Sequence, residues 1–300
     1  MPKHEWKVNY AYQKSISYSQ YSIYSQCNYR WYLEYIKKQR IFKPGINLTF
    51  GTSFHETLQE YLRIMFEESV KKSEEFNYAE YLKERMFINY KEDLANNKNE
   101  HFIKQEEFES FIQDGENIMD WLKKNRSKYF STKSDKLIGI EIPIEQFVVD
   151  SIPNVIMIGS IDLIFYSKAT NKYTIIDIKT STRGWNDDDK KDKLKINQLL
   201  FYKSFYARAL KIPVENVEVK FLVVKRRPFI SEEFPTKWVQ EIMPAQGTKK
   251  LKDALSDLES FVTNCFTPEA KYVEGKEYQK NFDGCKYCPF KDKDDLCTKK

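Results

Sequence analysis

Two aspartates and a lysine stand among apolar residues in Gly159–Ser181, GSIDLIFYSKATNKYTIIDIKTS. Asp162 interrupts one apolar run, and Asp177 and Lys179 interrupt the next. Carboxylates and an ammonium among Ile, Leu and Phe cost free energy unless something compensates them. A divalent cation between the carboxylates would do so. Mg²⁺ and Mn²⁺ take oxygen ligands from one or two carboxylates, water and phosphate. Asp177 and Lys179 are two apart, so on a strand they share a face. Ile178 then points into the core, with its backbone carbonyl able to turn toward the ion. Lys179 would orient or help deprotonate an attacking water and counter phosphate charge. His55, in a helical segment upstream, could add a nitrogen ligand. The plainer alternative is two solvent-facing acids and a surface lysine on an ordinary hairpin.

A second group of residues has metal-ligand spacing. Cys285-Lys-Tyr-Cys288 is followed nine residues later by Cys297, and the fourth ligand is Cys27 or Cys265. Four thiolates suit tetrahedral zinc or an iron–sulfur cluster equally. Met1–Tyr10 is polar and charged, unlike a cleavable signal, and no run of eighteen apolar residues exists. The expectation is a soluble, cytoplasmic protein with no membrane association. In that compartment five cysteines favour metal ligation over a disulfide framework.

Composition sets wider bounds. Hydrophobic residues make up 41% of the 300, and 15% are aromatic, so a core filled with large rings can form. Only 9 Gly and 10 Pro argue against a disordered or fibrous chain. The net charge of +5 permits a nucleic-acid partner without showing one. Lys190, Lys191, Lys193 and Lys195, and the run Lys225-Arg226-Arg227, could bind phosphate, although Asp187–Asp189 dilutes the first cluster. No G-x-x-x-x-G-K-[ST] stretch is present, so the chain is not itself an ATP-driven helicase.

The elements that must position these groups follow from periodicity. Ser17 to about Lys38 carries an aromatic stripe at helical spacing, with Ser17 or Ser19 as cap. After Gly51 a helix with Phe54, Leu58, Leu62 and Met65 on one face holds His55 in its first turn. Residues 73–132 are charged and helical, a covering insertion without a chemical motif. From Leu137, Ile138, Ile140, Ile142 and Ile144 alternate with other residues, which predicts a half-buried strand. Glu141 lies opposite these isoleucines and is read as a solvated strand acid rather than an additional site acid. Strands follow over Val155–Tyr166 and Tyr173–Thr180, joined by a hairpin at Ser167–Lys172. Arg183–Lys193 has no periodicity and is expected to be mobile. A helix over Leu194–Leu210, a strand over Val217–Val224, a pairing segment Trp238–Met243 and a helix over Gln246–Val262 complete the order. A mixed sheet flanked by helices is the packing solution, an α/β fold.

The motifs G-x-x-D at Gly159–Asp162 and D-x-K at Asp177–Lys179 resemble those of the PD-(D/E)xK nuclease superfamily. G-x-x-x-H at Gly51–His55 and Q-x-x-x-Y at Gln198–Tyr202 resemble its RecB-type branch. The resemblance extends from Ser15 to Cys297 and explains the helical insertion least. It implies one RecB-type nuclease domain over 1–300, with an insertion at 73–132 and a restriction-endonuclease-like core at 137–225. It implies catalysis by Asp162, Asp177, Lys179 and His55. Mg²⁺ or Mn²⁺ would be held by His55, Asp162, Asp177 and the Ile178 carbonyl, and Gln198 and Tyr202 would position substrate. Members of the branch, among them AddB-like and CRISPR-associated nucleases, hold a [4Fe–4S] cluster with one early and three late cysteines. That implies Cys27, Cys285, Cys288 and Cys297 as ligands, with zinc as the alternative and Cys265 as a free core cysteine. The Cys-rich segment 265–300 would close onto the N-terminal helix as a staple. The implied function is a metal-dependent DNA exonuclease acting on single- or double-stranded ends in replication, recombination, repair or defence. A separate helicase or recombination protein is an implied partner. The alternatives are a structure-specific or restriction-like endonuclease, and a non-catalytic nucleic-acid-binding protein with the same fold.

Overall fold

The strand that carries Asp177 and Lys179 is buried on both faces and paired on both sides. The computed structural model describes residues 14–291, 293, 296 and 297; the polar stretch Met1–Tyr10 lies outside them. The chain opens with β1 (Lys14–Ser17), α1 (Tyr18–Gln26), α2 (Asn28–Trp31) and α3 (Ile46–Arg63). Next come α4 (Val70–Glu75), α5 (Tyr78–Asn96), α6 (Gln105–Tyr129), β2 (Asp135–Phe147), β3 (Val155–Ser167) and β4 (Lys172–Ser181). Then follow α7 (Asp187–Lys191), α8 (Lys193–Leu210), β5 (Val217–Lys225), β6 (Val239–Ile242) and α9 (Thr248–Cys265). The sheet is mixed: β1-β3-β4-β5-β6 in order, with β2 also on β3. The chain divides into two compact units, residues 42–142 with 161–246, and residues 1–41 with 143–160 and 247–300.

In the first of these units, β4 runs antiparallel to β3, with Leu163 opposite Ile176, and parallel to β5, with Lys179 opposite Val223. Parallel strands enclosed on both faces read as near-continuous apolar runs, and Ile175, Ile176 and Ile178 are almost wholly buried. One face of β4, with Ile176 and Ile178, packs on the stripe Phe50, Phe54, Leu58 and Leu62 of α3. The other face meets α8, where the Tyr173 and Tyr206 rings lie 5.5 Å apart. Ser53 and Thr57, buried in α3, return their hydroxyls to the carbonyls of Thr49 and Ser53 at 2.8 Å, so neither is left unsatisfied.

Helices α5 and α6 do more than cover this unit. Leu82, Met86, Phe111, Ile118 and Leu122 belong to the same apolar cluster as Ile176 and Leu222. The two helices approach closely at Gly115, where a Cβ would stand 2.4 Å from Leu82 Cδ2. Arg85 and Asn89 of α5 also bond Glu56, next to His55, at 2.7 and 2.9 Å.

In the other unit, β1 pairs in parallel with the first half of β3, Lys14 opposite Val155. Trp31 is fully buried among Tyr24, Phe261, Phe266 and Tyr272. The aromatic stripe of the sequence is therefore core.

Several local expectations are corrected. The helix expected over Ser17–Lys38 breaks at Cys27, whose extended backbone ends α1 and caps α2 through Sγ. Ser17 does cap α1, accepting from Gln20 N–H. The His55 helix begins at Ile46, not after Gly51. Gly51 lies inside it, where a Cβ would come 3.3 Å from Thr180 Oγ1, so this glycine sets how closely α3 approaches β4. Arg183–Lys193 contains α7, with a reciprocal cap between Asn186 and Asp189, and Trp185 packs on Phe221. The short strand β1 was not expected. No helix among the described residues is long and apolar enough to cross a membrane.

Candidate active site

Extending the β3–β4 register by one residue from Leu163–Ile176 brings Asp162 opposite Asp177. Directly opposed side chains of an antiparallel pair lie on one face. Asp162 Oδ2 accepts a 2.7 Å hydrogen bond from Ile178 N–H. It also lies 3.7 Å from His55 Nδ1, brought in by α3. Asp177 is nearly inaccessible, its side chain 3% exposed, and Oδ2 is 2.7 Å from Lys179 Nζ. That oxygen has no aligned hydrogen-bond donor, so the nearby ammonium alone compensates it. Lys179 Nζ also donates to Gln198 Oε1 at 3.3 Å, and Gln198 Nε2 donates to the Tyr202 hydroxyl at 3.1 Å. Asp162, Asp177, Lys179, His55, Gln198, Tyr202 and the Ile178 backbone are thus one connected group.

Burial dominates the electrostatics. It lowers the His55 imidazole to about 4, against the pull of Asp177, so the ring is neutral at pH 7. Neutral imidazole is the form that ligates a metal. Burial, then the Asp177 charge, raises the Asp162 carboxyl well above the usual carboxylate range. Burial opposes the Lys179 ammonium, but Asp177 outweighs it and the net shift is upward. Burial, then the Asp177 charge, also raises the Tyr202 phenol, which stays protonated. Two acids, a neutral histidine and one committed ammonium leave an unmet demand for positive charge. The donor types suit a divalent cation, two carboxylates and a backbone carbonyl as hard oxygen ligands with an imidazole nitrogen beside them, although among the described residues no three metal-binding side chains, these included, already stand at ligating spacing.

A cleft of about 540 Å³ opens beside this group, lined by Asn47, Gly51, His55, Gln59, Lys179 and Glu141 among others. Glu141 is exposed, as a solvated strand acid would be, and it also lines this cleft. Its backbone is left-handed, φ +49°, and Gln59 Nε2 donates to its carboxylate at 2.6 Å. The turned residue interrupts the period-two alternation of the strand. The only local signal was Gly139 and Pro143 on either side, both poor strand formers.

Within the other unit, Cys27, Cys285, Cys288 and Cys297 line one small cavity, about 10 Å³. None is in a disulfide. Cys27 Sγ accepts from Arg30 and Asn281 N–H, each at 3.4 Å. Tyr29 N–H donates to Gln279 at 3.2 Å and its hydroxyl to Leu296 at 3.1 Å, holding the tail against α2. Among the described residues no three metal-binding side chains already stand at ligating spacing. The donor chemistry suits zinc or iron–sulfur. Cys265 is elsewhere, fully buried beside Tyr24.

No curated protein matches the chain. A family model for the PD-(D/E)XK nuclease superfamily matches residues 15–293, a span that includes His55, both acids, Lys179 and the Gln198–Tyr202 helix. The mixed sheet flanked by helices agrees with that superfamily's restriction-endonuclease-like architecture. The chain belongs to the PD-(D/E)XK nuclease superfamily and is a nuclease, a phosphodiester hydrolase.

Proposed function

We infer that the substrate is DNA, that hydrolysis depends on Mg²⁺ or Mn²⁺, and that the enzyme is an exonuclease of the RecB-type branch. The observation that carries this is a pair of acids on neighbouring strands, Asp177 buried and Asp162 partly buried. Asp162 lies 3.7 Å from a neutral His55, and Asp177 lies 2.7 Å from the Lys179 ammonium.

Asp162, Asp177, His55 and the Ile178 carbonyl would hold the metal. When bound, the ion supplies Lewis acidity, making water a better nucleophile and offsetting charge on the phosphate. Lys179 is held as an ammonium by Asp177, so its part is to orient water and stabilise charge rather than accept a proton. Gln198 fixes the Lys179 head group, and Tyr202 fixes Gln198. The hydrogen bond from Ile178 N–H to Asp162 Oδ2 fixes the orientation of that carboxylate.

Cys27, Cys285, Cys288 and Cys297 would hold a structural [4Fe–4S] cluster, or zinc in its place, as a staple on the N-terminal helices. A helicase or recombination protein acting ahead of the nuclease would supply its DNA ends.

The test is incubation of end-labelled single- and double-stranded DNA, and covalently closed circles, with Mg²⁺ or Mn²⁺. Degradation of linear DNA from its ends, absent in Asp177→Ala and in chelator, is expected. Cutting of closed circles would make the enzyme an endonuclease. Full activity in Asp177→Ala would overturn the site.

A further inference from the structure

The connection between β5 and β6 holds three large apolar side chains out in solvent. Phe229 is 86% exposed, Ile230 74% and Phe234 69%. One such residue is unremarked on any surface, but three within six positions of one loop mark a contact site.

The loop has a fixed stem. Arg226 and Arg227 N–H donate to the carbonyls of Ser181 and Thr182 at 2.8 Å, continuing the β4–β5 ladder. Lys225 N–H donates to the Trp238 carbonyl, closing the other side at 2.8 Å. Both arginine side chains grip Asp114 of α6, at 2.6 and 3.1 Å. The tip is therefore displayed by a rigid base.

The stem adjoins the candidate active site. Lys225 pairs with Ser181, so it shares a sheet face with Asp177 and Lys179, one strand over and two residues on. Burial, then the charges of Lys237 and Lys190, lowers the pKa of Lys225. Lys190 is already paired with Asp187 at 2.9 Å, so an anion joining this point would meet chiefly Lys225 and Lys237. The tip differs: Glu232 and Glu233 lie between Ile230 and Phe234. They repel phosphate while leaving the rings open to neutral, flat groups.

The geometry points to this hairpin as a second substrate-binding site, in which Phe229 and Phe234 stack on unpaired bases of a single strand, Ile230 packs beside them, and Lys225 and Lys237 take its phosphates. The assignment rests on the nuclease reading above. Cations at the stem and apolar groups at an acid-flanked tip match the division of a nucleic-acid strand into backbone and bases. Aromatic faces accept any base, so the site would be indifferent to sequence. In an intact duplex the base faces are already stacked, so the tip selects frayed ends and single strands.

The test uses the full chain with Ca²⁺ in place of Mg²⁺, so that binding is read without cleavage. Affinity is measured by anisotropy on a labelled single strand and a blunt hairpin duplex, and stacking by quenching of 2-aminopurine in the single strand. Phe229→Ala with Phe234→Ala should weaken single-strand binding about tenfold and abolish the quench. It should leave duplex affinity and melting temperature unchanged. Phe229→Trp should keep both binding and quench. Lys237→Ala should flatten the salt dependence. Wild-type single-strand affinity and quench in the double alanine variant would overturn the assignment and leave the tip as a protein-docking surface. Cleavage separates the two readings. If wild type cuts DNA but the loop variants bind normally, the hairpin assignment alone fails. If Phe229 governs binding but wild type cuts nothing in Mg²⁺ or Mn²⁺, the nuclease reading alone fails.

Discussion

Gln59 of α3 holds the carboxylate of Glu141 at 2.6 Å, on a strand that turns left-handed at that residue. A non-glycine residue in this backbone region costs of order 1–3 kcal/mol and persists only where its surroundings hold it there. Here the result is a third carboxylate facing His55 and Asp162. Glu141→Gln keeps the backbone and the size of the side chain and removes only the charge. Hydrolysis should fall roughly 10–100-fold, with a higher metal requirement, while stability stays within about 0.5 kcal/mol of wild type. Rates measured across a Mn²⁺ titration check this. An unchanged metal dependence would return Glu141 to the role of a solvated acid.

Asp162 supplies a pH signature. Its folded carboxyl titrates above the unfolded value because it is buried beside Asp177. Between those two values the native state keeps a proton that the unfolded chain has lost. Stability of the metal-free protein therefore falls as pH rises through that window, and the cost persists at neutral pH. Asp162→Asn removes the charge but keeps an acceptor for Ile178 N–H. The variant should be more stable than wild type in chelator by roughly 1 kcal/mol, and should lose the stabilisation that Mn²⁺ gives wild type. Thermal unfolding across pH, with and without Mn²⁺, reads both effects.

Gln198 reaches the site through Lys179, which it holds at 3.3 Å. Gln198→Ala would leave that ammonium tethered only to Asp177, and misplacement on this scale costs roughly tenfold to a hundredfold in the chemical step. Tyr202→Phe removes only the outer link and should cost less. Single-turnover rates set against binding affinity separate the cases. A loss confined to affinity would assign Gln198 to substrate contact instead.

What the sequence revealed depended on the range of the forces involved. Asp162 and Asp177 were legible because a charge in a β run is conspicuous and register follows from a short hairpin. The stripe of Phe54, Leu58 and Leu62 revealed α3, but its start at Ile46 did not show, since Lys43-Pro44-Gly45 marks a break without saying where the helix resumes. Glu141 was legible as an exposed acid, but its place at the cleft was not, because alternation assumes an unbroken pleat and the backbone turns left-handed there. The order in Arg183–Lys193 was hidden because it comes from Trp185 packing on Phe221, 36 positions away. The bonds from Arg85 and Asn89 to Glu56 are tertiary and have no periodic trace.

The cysteines can be sorted by metal analysis. Cys27 caps α2 through Sγ and lines the cavity with the three late cysteines. Cys27→Ser keeps an oxygen for Arg30 N–H but offers a poor soft-metal ligand, so bound iron or zinc should be lost with α2 intact. Cys265 is expected to contribute no ligand, since its thiol is fully buried beside Tyr24 and burial pushes it up to about 12. Cys265→Ala should therefore keep full metal content and cost roughly 1 kcal/mol for the atoms removed. Elemental analysis of anaerobically purified protein distinguishes the outcomes, with about four irons per chain expected for a cubane cluster. One zinc in their place would keep the four ligands and reject the cluster. Metal loss in Cys265→Ala alongside full metal in Cys27→Ser would reverse the ligand assignment.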